Sequence, residues 1–362
     1  MLIGRSPVRI SFAGGGTDLP AYYEQFGGSV LSVAINKYFY TVLGKRDDGR
    51  IQIISSDLRI FEAWHDIAAM NIAGSALEIP VAVLKDIGCD TSIDLFLASE
   101  IPPGTGLGSS ASVCVNLLKT ITTYLQQPLS TYELAERAFA VARVMLNRHV
   151  GKQDEYAAAF GGMNFISFSP DGAATVTPVK AAASTLDQLK HTLMLFFTGA
   201  SHHSWTILEE QEKSTRNHQS AAVDALHEVR ALAERMWRLI EIGDLPAFGR
   251  LLDEAWRAKK RVSQGISNPR IDQLYSLARE NGALGGKITG AGGGGFLLLY
   301  CEPSRQEFVR SAMAAEGVRE MAFAFDFQGA QVIVNDPFID SDERGGSRWM
   351  FVPRSSMAHR TT

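Results

Sequence analysis

A chain of 362 residues, 46% hydrophobic and 20% charged, is long enough to bury more than one core. Its formal net charge of −4 lacks the basic footprint that nucleic acid or an anionic membrane surface selects, and no run reaches the length of a membrane helix, so neither kind of partner is expected. Cys89, Cys114 and Cys301 lie in apolar stretches without metal-type spacing and read as buried reduced thiols; with no apolar h-region ahead of Arg5 and Arg9, a cytoplasmic chain is expected.

At the N-terminus, alternation through Val8, Ile10 and Phe12 predicts a short strand with Arg9 on its other face. The strand runs into Gly14-Gly15-Gly16, which present Thr17 and Asp18, and a carboxylate after such a turn suits the hydroxyls of a polyol. Further strands are predicted over 30–44, 50–55 and 93–98, and a helix over 112–126, where Val113, Leu117, Leu118, Ile121 and Leu125 share one face. Between the last strand and that helix stands Ile101-Pro102-Pro103-Gly104-Thr105-Gly106-Leu107-Gly108-Ser109-Ser110-Ala111-Ser112. Such a loop brings bare backbone N–H groups and a helix N-terminus to one point, where a phosphate binds well. Gly104, Gly106 and Gly108 allow positive φ and close approach, while Ser109, Ser110 and Ser112 offer hydroxyls to phosphate oxygens or a hard cation. No Gly-Lys-Ser/Thr closes the loop, so it is not a Walker A loop. Gly106-x-Gly108-x-x-Ala111 matches the dinucleotide fingerprint only loosely, because the first acid downstream is Glu133, on the next helix. The loop therefore points to nucleotide phosphates.

Ser130 and Glu133 form a capping box that opens a helix running toward 147. Segment 151–162 sets Lys152, Gln153, Asp154 and Glu155 beside small residues at a helix end. A strand around 161–168, a turn at Asp171-Gly172 and an alanine-rich passage over 180–185 lead to a second half. That half opens with an apolar run over 192–197, followed by helices over about 202–217, 219–242 and 245–262 and one from Asn268-Pro269 to Asn281-Gly282. A second glycine cluster, Gly285-Gly286-Lys287-Ile288-Thr289-Gly290-Ala291-Gly292-Gly293-Gly294-Gly295, leads into a strand where a dinucleotide fingerprint requires a helix. Consecutive glycines are unfavourable through chain entropy, so close backbone approach to a ligand or to the first loop is expected. A helix after Pro303 and a strand over 321–327 complete an α+β unit, and the polar, basic tail beyond Asp336 is expected to be mobile.

Together the Arg9 strand with Gly-Gly-Gly-Thr-Asp-Leu-Pro, the Pro-Pro-Gly-x-Gly-Leu-Gly-Ser-Ser-Ala loop, the Asp154 segment and the Lys-x-Thr-Gly-Ala-Gly-Gly-Gly-Gly loop resemble the GHMP kinases. The opening segment is most similar to the sugar 1-kinase branch, which holds the heptose 7-phosphate kinases and, more distantly, the kinase part of L-fucokinase. The resemblance implies an α+β, two-domain GHMP kinase fold, with a ribosomal-protein-S5-like N-terminal domain over 1–185, a ferredoxin-like C-terminal domain over 186–336 and a tail over 337–362. It implies ATP and Mg2+ as cofactors, a monomer or homodimer, and C1 phosphorylation of D-glycero-D-manno-heptose 7-phosphate or a related sugar phosphate. An unphosphorylated sugar such as L-fucose, or nucleotide and sugar binding without turnover, are the alternatives.

By the same resemblance Asp154 is the catalytic aspartate and Arg9 its charge-stabilising partner. Pro103, Gly104, Gly106, Leu107, Gly108, Ser109, Ser110 and Ala111 cradle the ATP phosphates, with Ser110 on the metal side. Gly16, Thr17, Asp18 and Gly162 line the sugar, and Lys287 and Gly292 close the site from the second domain. Two positions depart from the family pattern: Ala142 stands where a glutamate ligand to the metal is common, leaving Glu155 as another acid nearby, and His202 and His203 stand where an arginine is expected. Arg5, Lys37, His202 and His203 are the candidates for the substrate's distal phosphate.

Overall fold

The computed structural model describes residues 1–199, 204–217 and 220–336, so His202, His203 and the tail beyond 336 lie outside the described residues. The first half runs β1 (Leu2–Ala13), α1 (Pro20–Phe26), β2 (Gly28–Lys45), β3 (Ile51–Ser55), β4 (Ile60–Trp64), α2 (Glu78–Ile87), β5 (Ile93–Ser99), α3 (Ser109–Tyr124), α4 (Thr131–Ala140), α5 (Gln153–Phe160), β6 (Met163–Phe168) and β7 (Ala174–Pro178). The long β2 is shared: it pairs with β6 over Gly28–Val33 and with β5 over Phe39–Lys45, while β1 runs antiparallel along its other edge. β3 pairs parallel to β5, and the sheet order is β12-β1-β2-β5-β3-β4, with β6 and β7 branching from β2.

The second half runs α6 (Ala183–Thr192), β8 (Leu193–Phe197), α7 (Ser204–Arg216), α8 (Ser220–Ile242), α9 (Leu245–Lys260), α10 (Pro269–Glu280), β9 (Ala283–Ile288), β10 (Phe296–Cys301), α11 (Gln306–Ala315) and β11 (Arg319–Glu320), before β12 (Gln331–Asn335) pairs with β1 of the larger sheet. Its order, β11-β8-β10-β9, puts the first and third strands of a β-α-β-β-α-β unit at the centre, the ferredoxin-like arrangement expected from the sequence. Asn268 caps α10 by accepting from the Ile271 N–H, and the Ser130–Glu133 capping box forms as predicted.

One core fills the space between the larger sheet and the helices α2 to α5, with Leu43, Ile53, Leu84, Leu95, Leu117 and Leu118 among its members. A second core joins the halves. Val8, Ile10 and Phe12 of β1 and Leu31, Val33 and Ile35 of β2 pack on Val229, Leu232 and Met236 of α8 and on Phe248 and Leu252 of α9. Phe12 meets Phe248 edge to face at 5.2 Å between ring centroids. Each such side chain contributes about 1.5–3 kcal/mol when taken out of water, so this layer fixes the second half on the first.

That two-sided cover explains why the opening strand exceeds the alternation at 8–12: β1 is buried along most of its length and so lacks a long polar face. The strand expected over 321–327 does not form. Met321 N–H donates to Leu195 O, whereas Ala324 O accepts from Asn36 N–H and Asp326 N–H donates to Ala34 O, so the segment crosses from one sheet to the other instead of pairing along either. The alanine-rich passage turns helical at α6, and α3 starts at Ser109, three residues earlier than its apolar face suggested, because the serines of the loop form its first turn.

Candidate active site

The glycine loops meet. Phe296 N–H donates to Thr105 O at 3.2 Å, and a Cβ built on Gly290 would lie 2.6 Å from the carbonyl oxygen of Gly106. This is the close backbone approach that the second cluster predicted, and it leaves no room for a side chain at Gly106 or Gly290. Beside the contact α3 begins: Gly108 takes the left-handed conformation at φ 78°, no side chain caps the helix, and no acid lies in its first turn. Its orphan N–H groups and positive dipole end are therefore free to meet an anion.

A cavity of about 570 Å3 opens onto this helix start. Among the predicted residues, Arg9, Gly16, Asp18, Pro103, Gly104, Gly106, Gly108, Ser109, Ser110, Ala111 and Asp154 line it. Leu107, Thr17, Gly162, Lys287 and Gly292 do not. The Leu107 carbonyl accepts from the Arg9 N–H and its side chain is core. The Thr17 hydroxyl donates to Gly14 O at 2.8 Å and accepts from Ser29 N–H at 3.0 Å, so it holds its own turn. Gly162 donates to Asp326 O at 2.6 Å, and Gly292 presses on Ile266. Ser112 is buried and donates to Ser6 O, which leaves only Ser109 and Ser110 of the three serines facing the cavity.

Arg9 and Asp154 form the centre. Arg9 Nε donates to Asp154 Oδ1 at 2.8 Å and Nη2 to Oδ2 at 2.7 Å, a two-pronged ion pair, while Nη1 donates to Gly106 O at 2.6 Å. The arginine side chain is 4% exposed and the aspartate 30%, so the carboxylate faces the cavity with the guanidinium behind it. Asp154 and Glu155 sit in the first turn of α5, where the helix dipole favours negative charge. Ser11 Oγ donates to Gln153 Oε1, and Gln153 Nε2 donates to Asp154 Oδ1, which locks the orientation.

Asp18 accepts from Gly16 N–H at 2.7 Å and from Gln153 N–H at 3.2 Å. Burial raises its carboxyl above the usual range, those N–H bonds pull the other way, and the charge of Asp154 adds to the rise. Two lysines of the second half reach this region. Lys259 donates to Gly15 O at 2.7 Å and burial lowers it to about 8; Lys287 donates to Ser11 O at 2.9 Å and burial, helped by Lys259 and Arg9, lowers it to about 7. Lys259 lines the cavity and was missed in the sequence, although its spacing from Phe248, Leu252, Ala255 and Trp256 puts it on the buried face of α9. Arg5 instead donates to Gln328 and stacks over Tyr38, and neither it nor Lys37 lines the cavity.

The oxygens present suit a hard cation. Ser110 is exposed to the cavity, Ser109 Oγ and Glu155 Oε2 are buried without partners, and Ala142 contributes only a methyl group to the cavity lining. Among the described residues no three His, Cys, Asp or Glu side chains cluster as a metal cage, so a Mg2+ ion here would draw most ligands from nucleotide oxygens and water.

The chain matches the GHMP kinases N terminal domain over residues 71–162 and the GHMP kinases C terminal domain over 222–319. It is 30% identical to the D-glycero-alpha-D-manno-heptose 7-phosphate kinase of Campylobacter jejuni across 90% of this chain and 97% of that one. The chain belongs to the GHMP kinases. This GHMP kinase is also 29% identical to L-fucokinase/L-fucose-1-P guanylyltransferase of Bacteroides fragilis, covering 34% of that longer protein. Its fold superposes on a D-glycero-D-manno-heptose 1-phosphate kinase from Bacteroides thetaiotaomicron with a TM-score of 0.78 at 29% identity, over 93% of this chain and 100% of the other. It is therefore an ATP-dependent phosphotransferase of the sugar-kinase kind. No helix among the described residues is long and apolar enough to cross a membrane.

Proposed function

We propose that this kinase transfers the γ-phosphoryl group of ATP to the anomeric C1 hydroxyl of D-glycero-D-manno-heptose 7-phosphate, or of a closely related sugar phosphate, giving the 1,7-bisphosphate used to make nucleotide-activated heptose. The observation that carries the reading is Asp154, gripped through both oxygens by Arg9, in one cavity with the uncapped start of α3 on one side and Asp18 on the other.

Phosphoryl transfer passes through a loose, metaphosphate-like transition state, so positioning and charge neutralisation matter more than a strong base. An aspartate tied twice to an arginine is a rigid acceptor. Asp154 accepts a hydrogen bond from the attacking hydroxyl and fixes its line of approach, and Arg9 offsets the charge that collects there. The N–H groups at the start of α3 hold the phosphate oxygens. Ser110, exposed to the cavity, would hold a Mg2+ ion arriving with ATP, which would supply further neutralisation of those oxygens. Asp18 takes the ring hydroxyls, and Lys259, which donates to Gly15 O close to Asp18, adds a cation on the sugar's side of the cavity. A division into domains at residue 185, with β12 returning to the first, belongs to the same reading.

The L-fucose alternative draws on the Bacteroides fragilis relative. One experiment separates the possibilities: ADP release from purified chain with Mg2+ and ATP, offered heptose 7-phosphate or L-fucose, with phosphorus NMR on the product. A new anomeric phosphate on heptose 7-phosphate supports the proposal, and turnover confined to L-fucose replaces it. Nucleotide binding without turnover on either would mean a non-catalytic homologue.

A further inference from the structure

Glu155 is a buried acid without an occupation. It is 3% exposed, its Oε2 has no hydrogen-bond partner, and it nevertheless lines the cavity that holds the phosphate loop. An unpaired buried carboxyl is costly, more so if charged, so a chain that keeps one gains something from it in another state. No lysine or arginine pairs with it among the described ion pairs: Arg9 is taken by Asp154, Lys152 by Glu136, and Arg148 by Glu78.

Its position says which state. Glu155 follows Asp154 in the first turn of α5, which packs against α3, and it lines the same cavity as Cys114, one helical turn beyond Ser110. The same stretch of α3 holds Ser109, whose Oγ is the other buried unpartnered oxygen of the cavity wall. Ala142, in the π-helical turn Val141–Met145, also lines this cavity and brings no oxygen to it. Two orphan hard oxygens, on adjoining helix starts beside an anion site, are what a divalent cation carried by a triphosphate lacks on its protein side.

We propose that Glu155 is the protein carboxylate that faces the divalent cation at the triphosphate end of this cavity, with the α3 serines as its neutral neighbours. This rests on the Mg2+-dependent kinase reading, and not on which sugar is used. The cation would give the buried carboxylate the opposite charge that no side chain supplies.

The test uses the full chain, Mn2+ as the probe and a non-hydrolysable ATP analogue, with no sugar present. Free Mn2+ is read by electron paramagnetic resonance at saturating analogue for the native chain, Glu155→Gln and Glu155→Asp. Glu155→Gln should weaken Mn2+ at least about ten-fold, the loss that even outer partners of a metal ligand produce. Glu155→Asp should fall between the two. Affinity for the analogue without metal should stay within about two-fold, and the metal-free Glu155→Gln chain should melt no lower than native, since the substitution removes a buried acid. Native Mn2+ affinity in folded Glu155→Gln would overturn the proposal, as would an equal loss of analogue binding without metal. If Glu155→Gln does not fold, native affinity in Glu155→Asp overturns it instead. A sugar screen that fails while this test succeeds would remove the heptose reading and leave Glu155 in place.

Discussion

Replacing Gly290 with alanine tests the contact between the two glycine loops, and a second glycine provides its control. Gly290 and Gly317 share a φ of +74°, but a Cβ at Gly290 would lie 2.6 Å from Gly106 O and 2.9 Å from Gly106 Cα, whereas Gly317 has nothing within 4 Å. Left-handed backbone costs alanine about 1–2 kcal/mol at either position. Overpacking adds about 1–3 kcal/mol at Gly290 alone, because the obstacle is backbone and cannot rotate away. Gly290→Ala should therefore lose about 2–5 kcal/mol and Gly317→Ala about 1–2 kcal/mol. Denaturant midpoints at matched slopes read the difference. The Gly106 carbonyl also accepts from Arg9, so turnover should fall in Gly290→Ala and hold in Gly317→Ala. Equal losses of stability in the two variants, or normal turnover in Gly290→Ala, would refute the reasoning.

Asp154→Asn should lower turnover roughly 10²- to 10⁴-fold while nucleotide affinity stays near native, measured by titrating an ATP analogue; near-native turnover would take Asp154 out of the mechanism. Ser130→Ala removes a capping box and should cost about 1 kcal/mol in denaturant unfolding without touching activity, and a loss below measurement would mean α4 is held by packing alone. Lys287 and Lys259 are held at about 7 and about 8, below the ordinary lysine range, so the unfolded chain binds more protons between those values and that range. Their strain is thus present in full below about pH 7 and relieved as pH rises, and Lys287→Met should flatten the gain in melting temperature between about pH 7 and 9 without abolishing it. An unchanged slope would place Lys287 in its charged, paired state instead.

Much of the site was legible because glycine patterns report backbone demands. The loop before α3 announced an uncapped helix start through three glycines and a serine run, and the cluster before β10 announced close approach. The helices of the second half were equally readable, since α8 and α9 keep their apolar stripes over many turns. What escaped depends on partners far away in sequence. Thr17 looked like a ligand group and is held within its turn by Gly14 and Ser29. Lys259 looked like one more helix lysine and reaches across the shared core to Gly15. The segment over 321–327 has a strand's composition, but it is divided between two sheets.

The pairing of β12 with β1 bears on the order in which this protein is made. β1 is synthesised well before β12, the strand that covers its outer edge over Leu2–Arg5, and the amino group of Met1 meets the carbonyl of Asp336 at 2.8 Å. Until then the backbone of Leu2–Arg5 keeps an open edge, which invites pairing with another nascent chain. The larger sheet therefore gains this edge strand only after the second half has been made, although most of that sheet is synthesised first. Synthesis stalled within the second half should therefore leave a fragment with that short edge unpaired.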